Sequence, residues 1–337
     1  MRRSIKKFFL YTAVVSALLF VFAFGIVYQE FGPVDQSKLV QMKVRDSSFI
    51  ADFIYRKGDT KLPLIVAVGG SGGGFLPEKE VQTLALHGYA VLSVAYFNVD
   101  GLPNKIENIP LEYFDNAISW GCRRTVVDSC KVIVLGVSRG AELALLLAAR
   151  YPRIAGVIAY SPGCFVLPNA VDTDDGIATH SSWTLDGKPL AFAPLRIFEG
   201  KHQKSIDYRD YIIPLLNESE SESYTIKVEN SNGPILLLSG SDDQIWPSAE
   251  MAEKLEQRLN EKQFSHQVTN IILPGAGHSF FQLQNNCQII SSIFFNFFEL
   301  NIKGELWKFN KGGGSWTNVL GRRQSREEVL NFLEQFK

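Results

Sequence analysis

The sequence predicts an α/β protein, a mostly parallel sheet with helices on both faces, preceded by one N-terminal transmembrane helix. Three observations predict it. Apolar runs of strand length alternate with helical patterns through most of the 337 residues. Those runs are continuously apolar, as strands buried on both faces must be. The first thirty residues instead hold one long uncharged stretch behind a basic patch. Hydrophobic residues make up 46% and charged residues 20%, which excludes a disordered tail and a coiled coil.

The N-terminal segment comes first. Arg2, Arg3, Lys6 and Lys7 precede the 21 uncharged residues Phe8–Tyr28. As a helix that run spans roughly 31 Å, about one hydrocarbon core. It reads as an uncleaved, single-pass membrane anchor over residues 1–29, with a cleaved secretory signal or a buried helix of the domain as the alternatives. Basic residues stay on the cytoplasmic side, so a body of residues 30–337 is expected outside the cytoplasm. Removing the four basic residues leaves 30 basic against 35 acidic side chains. A body that acidic is a poor partner for nucleic acid. Cys122 and Cys130, eight positions apart, are candidates for a disulfide in an oxidising compartment, with two unpaired thiols as the alternative.

The body opens with short strands at Leu39–Val44 and Phe49–Tyr55. Leu62–Val68 is a buried strand ending in glycines, Glu78–Leu86 a helix and Tyr89–Phe97 a strand. Pro110–Trp120 is helical, Lys131–Leu135 a strand, and Arg139–Arg150 an Ala/Leu-rich helix. Strands at Ile154–Tyr160, Ile235–Leu238 and Val268–Leu273 follow, with a helix at Ser248–Asn260. An amphipathic helix at Ser325–Phe336 closes the chain. The stretch 162–233 breaks the rhythm and has the size of a cap-like insertion. Its acidic run Glu218–Glu222 reads as a solvated loop.

Chemistry concentrates where strands meet glycines. Gly136-Val137-Ser138-Arg139-Gly140 is a G-x-S-x-G motif between a strand and a helix, the context in which a sharp turn exposes a nucleophilic serine. Its glycines avoid collisions that a β-carbon would cause at a tight crossing. A serine hydroxyl needs a base, and His278 follows the last strand in Pro274-Gly275-Ala276-Gly277-His278. The base needs an orienting acid. Asp242 and Asp243 follow the strand Ile235–Leu238. Asp243 is preferred by its spacing from Gly240 and Pro247, with Asp242 the alternative. The order serine, acid, histidine is that of α/β-hydrolases. For the developing oxyanion, Gly69-Gly70-Ser71-Gly72-Gly73-Gly74 allows close backbone approach, and the amides of Ser71 and Arg139 are the candidate donors. The Arg139 side chain reads as a solvent-facing residue at a helix start, with contact to a substrate carboxylate or phosphate as the alternative. The glycine run lacks the Lys-Ser/Thr of a phosphate loop, and no Cys/His cluster suggests zinc. No cofactor or metal is expected.

These stretches carry a resemblance. Gly70-Ser71-Gly72-Gly73-Gly74, His87–Phe97, Pro110-Leu111-Glu112-Tyr113-Phe114, the elbow with Ala141-Glu142-Leu143, Gly233–Ser248, Pro274–His278 and the tail Gly312–Trp316 resemble the C-terminal domain shared by acyl-CoA thioester hydrolases and bile acid-CoA:amino acid N-acyltransferases, a dienelactone-hydrolase-like group. The resemblance runs from about Ser37 to Lys337. It implies an α/β-hydrolase fold and a triad of Ser138, Asp243 and His278. It further implies hydrolysis of a small-molecule acyl ester or acyl-CoA through an acyl-enzyme. Amidating members use a cysteine nucleophile, so serine here points to water as acceptor. Transfer to an amino acid is the alternative activity, and a peptidase of the same fold is another.

Overall fold

The computed structural model describes residues 2–31, 34–169, 178–195, 208–284, 297–302 and 305–337. Helix α1 (Arg2–Phe31) comes first. Among the described residues no helix is long and apolar enough to cross a membrane, so the expected transmembrane span is not met there. Tyr11, Leu18, Phe20, Phe22 and Phe24 are exposed.

The body is built on strands β1 (Leu39–Arg45), β2 (Ile50–Arg56), β3 (Leu62–Val68) and β4 (Ala90–Ala95), with helix α2 (Glu78–Leu86) between the last two. The two-residue strand β5 (Ile109–Pro110) leads into α3 (Leu111–Cys122), and β6 (Val127–Val137) into α4 (Arg139–Arg150). Strand β7 (Ile154–Tyr160) follows, then the short strands β8 (Trp183–Leu185) and β9 (Lys188–Pro189) and helix α5 (Arg209–Leu215). Strands β10 (Ile235–Gly240) and β11 (Val268–Leu273) flank α6 (Ser248–Glu261). The hairpin β12 (Phe297–Ile302) and β13 (Glu305–Asn310) precedes α7 (Ser315–Glu334).

The described residues form an eight-stranded sheet in the order β1-β2-β4-β3-β6-β7-β10-β11. Only β2 runs antiparallel to its neighbours β1 and β4; the remaining pairs are parallel. The expected mostly parallel α/β-hydrolase sheet therefore forms. Every residue of β3 is buried, and its alternate side chains explain why. Leu64, Val66 and Val68 join the core under α3, α4 and α6, whereas Ile65 and Ala67 join the core under α2 and α7. A strand with two covered faces cannot show polar alternation.

Between β7 and β10, β8 and β9 pair and β8 joins β5 in a small three-stranded sheet. Residues 170–177 and 196–207 of the expected insertion lie outside the described residues. The acidic run is more than a solvated loop. Glu222 accepts from Arg258 of α6 at 2.7 Å and from Lys227 at 2.5 Å, while Arg258 also pairs with Glu229 at 2.5 Å. These bonds hold the Glu222 carboxyl down at about 2. Cys122, Cys130 and Cys164 are free thiols, so the disulfide considered for Cys122 and Cys130 does not form. Cys122 is half-buried at the end of α3 and Cys130 is exposed within β6.

Candidate active site

Ser138 lies at the junction of β6 and α4 with φ 58° and ψ −120°, a conformation a side chain rarely adopts and one that stores strain. Its amide donates to the Tyr160 carbonyl at 2.8 Å, tying the turn to β7. The flanking glycines are sterically required. A β-carbon on Gly136 would collide with the Gly140 carbonyl, and one on Gly140 with the carbonyls of Val68 and Gly69. The turn can therefore close only because both positions lack a side chain, and it leaves Ser138 at the positive end of α4.

The loops after β10 and β11 bring Asp243 and His278 to this serine. His278 Nε2 lies 2.9 Å from Ser138 Oγ, and His278 Nδ1 lies 2.8 Å from Asp243 Oδ2. A protonated Nδ1 facing the carboxylate leaves Nε2 free to accept the serine proton. Asp243 is 1% exposed. Its Oδ1 accepts from the amides of Ile245 at 3.0 Å and Trp246 at 3.2 Å, and its Oδ2 from Ser248 Oγ at 2.6 Å. The Trp246 indole meets the His278 ring edge-on, 5.5 Å between centroids. Asp242 points elsewhere, accepting from the Gly313 amide at 2.7 Å and Gln244 Nε2 at 3.2 Å. Of the two candidate acids, only Asp243 contacts the histidine.

The glycine loop after β3 forms the opposite wall. A β-carbon on Gly70 would sit 3.0 Å from Ser138 Cβ and 3.5 Å from its Oγ, so the Gly70 backbone lies directly against the serine. Ser71 follows at the exposed rim of that loop. Tyr96 Oη donates to the Gly69 carbonyl at 2.7 Å, Asn98 Nδ2 to Gly72 at 3.2 Å, and the Gly74 amide to Phe97 at 3.0 Å. The loop is thus bonded at three points to the end of β4.

The Arg139 side chain corrects the sequence expectation: it is buried, not solvent-facing. It forms an ion pair with Glu142 at 2.5 Å and donates to the carbonyls of Leu167 and Pro168, both at 3.2 Å, and to Ser182 Oγ. Glu142 is fully buried and accepts from the Leu167 amide at 3.0 Å and Trp183 Nε1 at 2.7 Å. Burial pushes its carboxyl up from the ordinary range, against the opposing pull of Arg139 and these donors. The sequence reading missed Glu142, although an acid three residues from an arginine inside an Ala/Leu-rich helix is an i,i+3 pairing pattern. It also missed Ser248, which no local pattern singles out. Among the described residues, no group of three or more His, Cys, Asp or Glu side chains is arranged to hold a metal ion.

Residues 109–282 match the family described as BAAT / Acyl-CoA thioester hydrolase C terminal. Ser138, Asp243 and His278 fall inside that range and Ser71 before it. Acyl-coenzyme A thioesterase 6 of Mus musculus is 31% identical over 222 residues, 65% of this chain and 49% of the relative. Peroxisomal succinyl-coenzyme A thioesterase of Mus musculus is 25% identical over 238 residues, 71% of this chain and 53% of the relative. The chain spans about half the length of the curated relatives it matches. Among solved structures, Pyrococcus horikoshii acylaminoacyl peptidase superposes with a TM-score of 0.50 at 14% identity, over 92% of this chain and 43% of that one. That likeness is one of fold.

Proposed function

The chain belongs to the BAAT / acyl-CoA thioester hydrolase C-terminal family, and from that premise we propose a serine hydrolase that cleaves acyl thioesters or carboxylic esters through Ser138, His278 and Asp243. The observation that carries the reading is the unbroken relay from Asp243 Oδ2 through both nitrogens of His278 to Ser138 Oγ, at 2.8 and 2.9 Å. A nucleophile, a base and an orienter within hydrogen-bond reach are what covalent acyl transfer requires.

In the proposed cycle Ser138 Oγ attacks the acyl carbon as its proton passes to His278 Nε2. The resulting imidazolium is stabilised by Asp243. The amides of Arg139 and Ser71 receive the negative charge on the former carbonyl oxygen. Collapse breaks the bond to the thiolate or alkoxide, which takes the proton from His278. Water, deprotonated by the same nitrogen, then attacks the acyl-enzyme and releases the carboxylic acid. Family membership and the relatives' printed names support acyl-CoA as the substrate, with simple acyl esters of the same chemistry included. In this reading the described parts of segment 162–233, residues 162–169, 178–195 and 208–233, cap the site. Replacing Ser138 by Ala tests the mechanism on p-nitrophenyl esters and acyl-CoA: the expected loss is at least about a thousandfold, and retained activity refutes it.

The N-terminal segment supports a separate proposal of membrane association, with residues 1–7 cytoplasmic and the catalytic body on the other side. It rests on the basic patch and on the exposed apolar side chains from Tyr11 to Phe24. Protease accessibility in sealed vesicles checks it, and recovery of the full-length chain in the soluble fraction contradicts it.

A further inference from the structure

The glycine tail Gly312-Gly313-Gly314 and helix α7 take no part in the relay, yet they hold both loops that supply it. The His278 amide donates to the Lys311 carbonyl at 2.6 Å. Gly312 forms a bridge with Asp243, and Gly313 forms one with Ala276. The Gly313 amide donates to Asp242 at 2.7 Å. Both glycines have φ of 73°, and a β-carbon on either would collide with the acid or the base loop. The tail is therefore wedged between the two loops, joined to each by one isolated bridge.

One face of α7 continues the grip. Thr317 Oγ1 donates to the Gly275 carbonyl at 2.5 Å, and Arg322 to Ser279 at 2.9 Å. Ser325 Oγ donates to Phe280 at 3.2 Å and Arg326 to Leu283 at 2.9 Å. Asn318 joins the two systems. It is 2% exposed, its Oδ1 accepts from the Gly277 amide at 2.8 Å, and its Nδ2 donates to the Gly312 carbonyl at 3.3 Å. One amide side chain thus links the residue before His278 to the residue bridged to Asp243. Donor and acceptor on one short side chain are what that link needs.

We infer that Asn318 is a positioning residue that fixes the spacing of Asp243 and His278. The inference rests on the triad reading above. A displacement of His278 by about 1 Å is enough to cost roughly a hundredfold in rate, whereas substrate contacts elsewhere are untouched. Asn318→Leu, similar in volume but unable to make either bond, is expected to lower kcat about 10- to 100-fold with KM within threefold of wild type. Val329→Ala supplies the control, because Val329 is buried on the same helix eleven residues beyond Asn318 and its side chain forms no hydrogen bond: it lowers Tm and leaves the kcat of folded enzyme unchanged. Thr317→Val is made in parallel, with an expected kcat loss of about 3- to 10-fold, and decides the matter if Asn318→Leu does not fold.

The rate at which a fluorophosphonate labels Ser138 should fall in step with kcat in the Asn318 and Thr317 variants and not in Val329→Ala. Wild-type kcat in Asn318→Leu, or in Thr317→Val where only that variant folds, overturns the inference. So does a matching kcat loss in Val329→Ala at equal Tm. Ser138→Ala, assayed alongside, separates the two failures. Retained activity there sinks the triad reading itself, whereas an inactive Ser138→Ala with unaffected Asn318→Leu sinks only the brace.

Discussion

Arg139 and Glu142 form a buried ion pair, 2.5 Å apart, in the first turn of α4, directly after Ser138. Both also bond the segment Leu167–Trp183, so the start of α4 and the stretch beyond β7 are locked together. Removing one member leaves an uncompensated buried charge, which costs about 3–5 kcal/mol. Glu142→Gln is therefore expected to destabilise by that order in denaturant unfolding. Gln keeps an acceptor for Leu167 and Trp183, so the double variant Arg139→Met/Glu142→Gln removes the stranded cation as well. It should recover part of the loss. A double variant less stable than Glu142→Gln alone contradicts this account.

The two adjacent aspartates separate cleanly. Asp243→Asn removes the carboxylate from His278 Nδ1 and is expected to lower kcat roughly 10³- to 10⁴-fold. Asp242→Asn leaves the His278 contact intact and should retain kcat within about tenfold, since it alters only the bonds to Gly313 and Gln244. Steady-state kinetics on one ester substrate decide it, and equal losses in the two variants would refute the assignment of Asp243.

Gly70→Ala probes the oxyanion wall. The new methyl group would stand 3.0 Å from Ser138 Cβ and from the Val137 carbonyl, so the loop must retreat by a few tenths of an ångström. Loss of one well-placed donor costs about 10²- to 10³-fold where it is complete, and partial retreat should cost about 10- to 100-fold in kcat. Thermal unfolding should change little. A variant with wild-type kcat would remove this loop from the oxyanion site.

Acid titration reports the network around Arg258. Glu222 titrates near 2 in the folded chain, below its ordinary value of 4.5, first because Arg258 and then Lys227 donate to it. A lowered carboxyl stabilises the fold above the unfolded value, and that contribution fades as pH falls from about 4.5 towards 2. The Tm difference between wild type and Glu222→Gln should therefore be present at neutral pH and shrink across that window. Because Glu222 is largely exposed, added salt should also reduce the difference. A difference independent of both pH and salt would show that the pairing contributes nothing.

The long buried strands and amphipathic helices were legible because each carries its own periodicity. Leu62–Val68, Glu78–Leu86 and Arg139–Arg150 fall at their expected limits. The elements that escaped are short or irregular. Strands β5 and β9 have two residues each, too few for any period, and β12 opens with adjacent Phe297 and Phe298, which breaks alternation. Ser138, Asp243 and His278 stood out because each follows a strand in a glycine-marked turn, and the structure brings all three together. The fate of the Arg139 side chain was not legible. Its burial depends on Leu167 and Pro168, 28 and 29 residues away, and no local pattern encodes that meeting. Asn318 was hidden for a similar reason, since its partner Gly277 lies 41 residues away.

The serine and its base lie 140 positions apart in the chain, and β10 and β11 must dock before they can meet. A chain in which only the middle of the sheet has formed holds the strained turn with no base beside it. Contacts between such distant residues form late, because the entropy of closing the intervening chain must be overcome first. On the proposed triad, reactivity of Ser138 should therefore emerge at the end of folding. During refolding, the return of hydrolysis should lag the return of helical signal, so that the chain stays chemically quiet until its far edge is in place.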